Sequence, residues 1–120
     1  MRTLLALALA VPLAAEPVRL LFDTDMGNDI DDALALAVIH ALESRGEARL
    51  LAVTLTKDNP HAAPYCDLVN HFYKRGHIPV AVVKKGVTPE DNPMITAPVN
   101  ARGGHGELLY PRRLLSGNDA

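Results

Sequence analysis

The sequence holds a single cysteine, Cys66, so no intramolecular disulfide staples the fold. It has no basic excess: 12 Lys and Arg stand against 14 Asp and Glu, a formal net charge of −2, which withdraws support from a nucleic-acid partner. No internal repeat or low-complexity tract appears. With 48 % apolar and 22 % charged residues, the composition excludes a disordered tail or a collagen-like chain. At 120 residues there is room for one ordinary domain and not for two. Beyond the first fifteen residues no stretch is long and apolar enough to cross a bilayer.

Those first fifteen residues, MRTLLALALAVPLAA, combine a basic start at Arg2, an apolar run from Leu4 to Val11 and a small-residue end at Ala14 and Ala15. The pattern is that of a secretory signal peptide, with an apolar run too short for a permanent anchor. The domain is therefore expected over residues 16–120, exported to the periplasm or the medium and without a membrane anchor after signal removal. A lone cysteine suits that route, having nothing within the chain to mispair with.

The rest reads as alternating strands and helices. Val18 to Phe22 is a short apolar run ending in Asp23, and predicts a buried strand. Asp31 and Asp32 then open a helical pattern with Arg45 near its end and Gly46 as its stop. Leu50 to Thr56 predicts a second strand. A second helix is expected to open at Lys57–Pro60, with Pro60 in its first turn and Gly76 at its end. Ala62, Tyr65, Cys66, Val69, Phe72 and Tyr73 would form its apolar stripe, placing Cys66 in the core. Ile78 to Val83 is the third strand. Apolar runs without strict alternation predict strands covered on both faces. The fold class expected is α/β, a Rossmann-like, mostly parallel open sheet with flanking helices in the order β-α-β-α-β. Thr88 to Asn100, with Pro89, Pro93 and Pro98, reads as irregular loop, and Leu108 to Leu115 as the start of another element.

The near-neutral total conceals one imbalance. Asp23, Asp25, Asp29, Asp31 and Asp32 fall within ten residues that contain no Lys or Arg. They sit between a strand end and a helix start, the place where open α/β sheets bind ligands. Carboxylates this close repel one another, and raised pKa values or a bound cation relieve the repulsion. Oxygen donors without Cys or His point to Ca²⁺ or Mg²⁺ rather than zinc. Helix capping by Asp31 and Asp32 would account for two aspartates and leave three unexplained. An EF-hand starting at Asp23 would need Gly and Glu where Asn28 and Leu34 stand, and no Gly-Lys-Ser/Thr phosphate loop is present.

The run from Asp23 to Leu36, DTDMGNDIDDALAL, resembles the N-terminal signature of the nucleoside hydrolase family, Asp-x-Asp-Pro-Gly-x-Asp-Asp-Ala. Met26 replaces the proline, and two extra residues separate Gly27 from the Asp31–Asp32 pair. Ala52-Val53-Thr54 with Asn59, then Asn70 and Ile78-Pro79-Val80-Ala81, extend the similarity over about Leu20 to Gly86. The resemblance implies hydrolysis of the N-glycosidic bond of a ribonucleoside by a water bound to Ca²⁺. It implies Asp25 as Ca²⁺ ligand and general base and Asp32 as a further ligand. Asp31 and Asn59 would contact ribose. Asp23 and Asp29 would orient the loop from outside the ligands, the longer spacing leaving the role of Asp29 open. It also implies that the 120-residue chain is the N-terminal part of a longer domain, inactive or nearly so by itself, and a homo-oligomer in its full-length form.

Two other readings stay open. A haloacid dehalogenase-like phosphohydrolase also uses a strand ending in Asp-x-Asp with Mg²⁺, but wants Thr or Val where Gly27 stands. A non-catalytic secreted module binding Ca²⁺ or sugar is the other. Asn59 before Pro60 reads equally as a helix cap or a sugar contact. His105 reads as a solvent-facing loop residue, and His40 and His71 as surface or packed helix residues.

Overall fold

The computed structural model describes residues 15–87 and 89–120; the expected leader lies, apart from Ala15, outside the described residues. Three strands, β1 (Val18–Thr24), β2 (Ala48–Lys57) and β3 (Val80–Val87), form a parallel sheet in the order β1-β2-β3. Parallel neighbours need a long crossover, and here each is a helix: α1 (Asp31–Ser44) and α2 (Ala62–Phe72). The expected α/β sheet with flanking helices is thus present.

The core lies between the sheet and these two helices. Leu50, Val53 and Leu55 of β2 and Val80 of β3 meet Leu36 of α1 and Ala62, Ala63 and Cys66 of α2. Cys66 is fully buried, and burial pushes its thiol pKa up, so it behaves as a small core residue.

The expectation of coverage on both faces is corrected. Strand order 1-2-3 with crossovers of one hand puts α1 and α2 on the same side of the sheet. Leu21 and Val83 on the other face are 70 % and 42 % exposed, whereas Leu20 and Phe22 pack on the core. Apolar strand residues therefore line both faces while the described elements cover one.

The helix boundaries also shift. α2 begins at Ala62 rather than around Pro60, because the Asn59 side chain turns the chain first: its Oδ1 accepts from His61 N (2.7 Å) and Ala62 N (3.2 Å). It ends at Phe72 rather than Gly76, with Lys74 adopting the left-handed conformation at φ 62°.

The stretch expected to be irregular contains a third helix, α3 (Pro93–Asn100). Asn92 caps it, accepting from Met94 N at 2.9 Å, and Pro93 occupies the first position, where its missing N–H has no helical partner to lose. Ile95 and Val99 are buried.

Leu108 to Leu115 forms no helix or strand; a lone bridge pairs Arg102 with Leu108, and a short 3₁₀ turn follows at Gly117–Asp119. This segment is instead tied down by Asp67, a fully buried carboxylate on α2 that accepts from Arg113 N (2.5 Å) and Leu114 N (2.9 Å). Arg113 adds a guanidinium contact to the same carboxylate at 3.3 Å. Asp67→Ala strands both amides and is expected to cost about 1–3 kcal/mol. A urea midpoint equal to wild type would remove Asp67 as the anchor. No helix among the described residues is long and apolar enough to cross a membrane.

Candidate functional site

The site is built where β1 and β2 end. Thr24, the last residue of β1, is buried, and its Oγ1 accepts from Met26 N at 3.0 Å. Met26 drops fully into the core, so the loop that carries the aspartates is anchored from below. Gly27 follows at φ +110°, with Ile95 of α3 so close that a Cβ there would lie 2.6 Å from Ile95 Cδ1.

The five aspartates do not converge. Asp23 lies opposite Thr54 in register and accepts its hydroxyl at 2.5 Å. Asp29 and Asp31 form an exposed pair: the hydrogen bond between them raises the pKa of Asp29 and lowers that of Asp31. Asp25 and Asp32 form the third group. Burial and then a hydrogen-bonding contact with Asp25 push Asp32 up to about 6, partly offset by Thr24. Asp32 Oδ2 is buried and has no hydrogen-bond partner. Side-chain capping of α1 is not built, since the residue preceding it is Ile30, but Asp31 and Asp32 do stand in its first turn, where their charge complements the helix dipole.

Among the described residues, no three His, Cys, Asp or Glu side chains are gathered closely enough to hold a metal ion. Asp25 and Asp32 suit a hard cation as two oxygen donors, and the orphaned Asp32 oxygen is the atom such an ion would satisfy.

Asp32 makes a pH prediction with a definite sign. Its folded pKa of about 6 exceeds the ordinary 3.8, so the folded chain holds a proton the unfolded chain gives up, and this contribution is lost as pH rises through 6. His40 acts oppositely: its pKa is held below 6.5 by burial, so acidification below that value favours unfolding. The difference between wild type and Asp32→Asn separates the two. Asn is expected to be the more stable residue at pH 7.5, with the advantage disappearing near pH 4; a pH-independent difference in melting temperature would contradict the assignment.

Asn59 is 1 % exposed, and its amide is fully engaged. Beyond the two α2 amides, its Nδ2 reaches Pro89 O (2.8 Å), Glu90 O (3.2 Å) and Asp91 Oδ1 (2.7 Å). It clamps the 89–91 loop to the start of α2. Beside it lies a hollow of about 190 Å³ lined by Asp58, Asn59, Pro60 and Gly117.

Two groups escaped the sequence reading. Lys57, read as a helix opener, ends β2 and is 1 % exposed, its Nζ donating to Asn28 Oδ1 at 2.8 Å. Its signal was present, since Lys57 falls in alternating step with the core residues Val53 and Leu55. The second group is His61, whose Nδ1 lies 2.9 Å from Asp91 Oδ1. Asn59 and then His61 hold Asp91 below the ordinary carboxylate range. That pair is thirty positions apart, with α2 and β3 between its members, and left no local signal.

Of the other histidines, His40 and His71 have structural surroundings. His40 is fully buried, 2.8 Å from Asn70 Oδ1 and stacked on Tyr73 at 4.6 Å. His71 bonds the Asp67 carbonyl, and His105 is exposed in its loop. No family model, curated protein or solved structure matches the chain.

Proposed function

We propose that this chain carries the metal- and ribose-binding end of an exported N-glycoside hydrolase of the nucleoside hydrolase type, which cleaves ribonucleosides to free base and ribose. The observation that carries the reading is the pair Asp25 and Asp32 at the carboxyl end of β1, with one Asp32 oxygen buried, raised in pKa and without a partner. A carboxylate with one oxygen buried beside another carboxylate is unfavourable in a purely structural loop and useful where a cation is bound.

Asp25 and Asp32 would hold Ca²⁺. The bound ion would supply a fixed position for water and for vicinal hydroxyls, together with a lowered pKa of that water. Asp25 takes the proton as the water oxygen attacks C1′ of the ribose and the C1′–N bond breaks, its electron pair leaving with the base. The carboxylates near the sugar stabilise the positive charge that develops at C1′. Asp31, exposed and held in its ionised form by Asp29 and by the backbone N–H of Asp32, is the acceptor offered to ribose hydroxyls. Asn59 would have to release a protein partner to reach a sugar, so we give it the task of shaping the loop.

The test is release of reducing sugar from a ribonucleoside by the natural protein with Ca²⁺, run beside phosphate release from a phosphomonoester with Mg²⁺. Ribose release supports the proposal and phosphate release sinks it. The phosphohydrolase reading would make Asp23 the nucleophile, and Asp23 already accepts the Thr54 hydroxyl. Binding of Ca²⁺ and sugar without turnover would favour the binding-module reading instead.

A further inference from the structure

We infer that Lys57 is a positioning residue that sets the orientation of the Asp25 carboxylate through the side-chain amide of Asn28. Lys57 is among the largest fully buried side chains, and among the described residues no carboxylate lies within ion-pair distance of its ammonium. Its hydrogen bond goes to Asn28 Oδ1 at 2.8 Å. An ammonium has three donors and no acceptor, so only the oxygen of the Asn28 amide fits against it. The amide cannot flip, and its NH₂ end is turned toward Asp25, where Asn28 Nδ2 donates to Asp25 Oδ2. The backbone of Asn28 is held as well, its carbonyl accepting from Asn92 Nδ2 at 3.0 Å. Asn28 is thereby fixed from β2, from the cap of α3 and from its own loop.

A buried lysine is costly to desolvate and needs a compensating role. Plain charge neutralisation of the acidic loop is one role, and orientation is the other. They make opposite predictions for cation binding. Removing a nearby positive charge strengthens a cation site by Coulomb's law. Removing the group that orients a ligating carboxylate weakens it, by roughly 10–100-fold for outer partners of metal ligands. The inference about the amide stands on geometry alone, while its consequence for Ca²⁺ rests on the proposed function.

The experiment uses the ¹⁵N-labelled 120-residue chain and its Lys57→Met variant. In wild type the two Asn28 Nδ2 protons are expected to be well separated in chemical shift, one of them bonded to Asp25. In Lys57→Met they are expected to collapse toward the values of an asparagine whose side chain is unbonded, while the backbone spectrum stays dispersed. Unchanged Asn28 resonances would overturn the inference. Should Lys57→Met not fold, Lys57→Arg and Lys57→Gln carry the same comparison: Arg, all donors, keeps the wild-type signature, and Gln, which also accepts, loses it.

Calorimetric titration with Ca²⁺ is the second readout. Lys57→Met is expected to bind roughly tenfold more weakly and to add nothing in an Asn28→Ala background. Tighter binding by Lys57→Met would leave charge neutralisation as its role and overturn positioning. If wild type binds no Ca²⁺, the proposed function loses its metal, and the Asn28 resonances alone decide the role of Lys57.

Discussion

On the proposed function, Asp25→Ala is expected to lower ribose release by the natural protein by roughly 10²–10⁴-fold, the usual contribution of a general base. On that reading three things would go at once: the proton acceptor, one of two carboxylates offered to a cation, and the acceptor that receives Asn28. Asp25→Asn retains the shape and the contact with Asn28 in altered form but removes basicity, so it should be nearly as inactive with a smaller change in fold. Asp29→Ala serves as the internal comparison. Asp29 is exposed and paired with Asp31, so its loss is expected to change the apparent affinity for ribonucleoside more than the turnover. Steady-state rates with saturating Ca²⁺ separate these outcomes. Wild-type turnover in Asp25→Ala would remove it as the base, whatever the metal requirement proved to be.

Gly27→Ala is expected to destabilise the chain by roughly 2–5 kcal/mol, a large share of an ordinary domain's stability. Two costs combine. The backbone at φ +110° lies well outside the left-handed well near +57° that non-glycine residues occasionally adopt. The added Cβ would also stand 2.6 Å from Ile95 Cδ1, and Ile95 is fully buried with little room to withdraw. Pushing Ile95 away moves α3, and with it Asn92, off the carbonyl of Asn28. The variant should therefore lose urea resistance and, on the proposed function, Ca²⁺ affinity as well. Ile95→Ala in the same chain would relieve the overlap and leave the backbone strain, so the double variant should recover part of the overlap cost. Stability equal to wild type in Gly27→Ala would show that the loop has another conformation available to it.

How much of this was legible depended on range. The strands expected over 18–22 and 50–56 and the helix expected from Asp31 to a stop at Gly46 announce themselves through local patterns. The structure extends the strands by one or two residues at their ends and closes the helix at Ser44. The α3 helix was missed because three prolines between Thr88 and Asn100 read as breakers, although Asn92-Pro93 has the residue types of a cap followed by a first turn. Buried Lys57 was missed because it was read with Asp58, Asn59 and Pro60 as the opening of the second helix, while its alternation with Val53 and Leu55 placed it inside at the end of β2. Asp67 gave no sign of its role, since its partners at 113 and 114 lie more than forty residues away and are backbone amides.

By itself the sequence determined the parallel β-α-β-α-β order, the burial of Cys66 and the concentration of five aspartates between β1 and α1, because strand and helix periodicity and local charge are properties of neighbours in the chain. Only the tertiary structure decided how those aspartates divide. Asp23 turns to Thr54, Asp29 meets Asp31, and Asp25 is left with Asp32 and with an asparagine held by a buried lysine. The division depends on which face each Cα presents, on Met26 and Ile95 packing beneath the loop, and on Lys57 arriving from the next strand. None of those is a relation between adjacent residues.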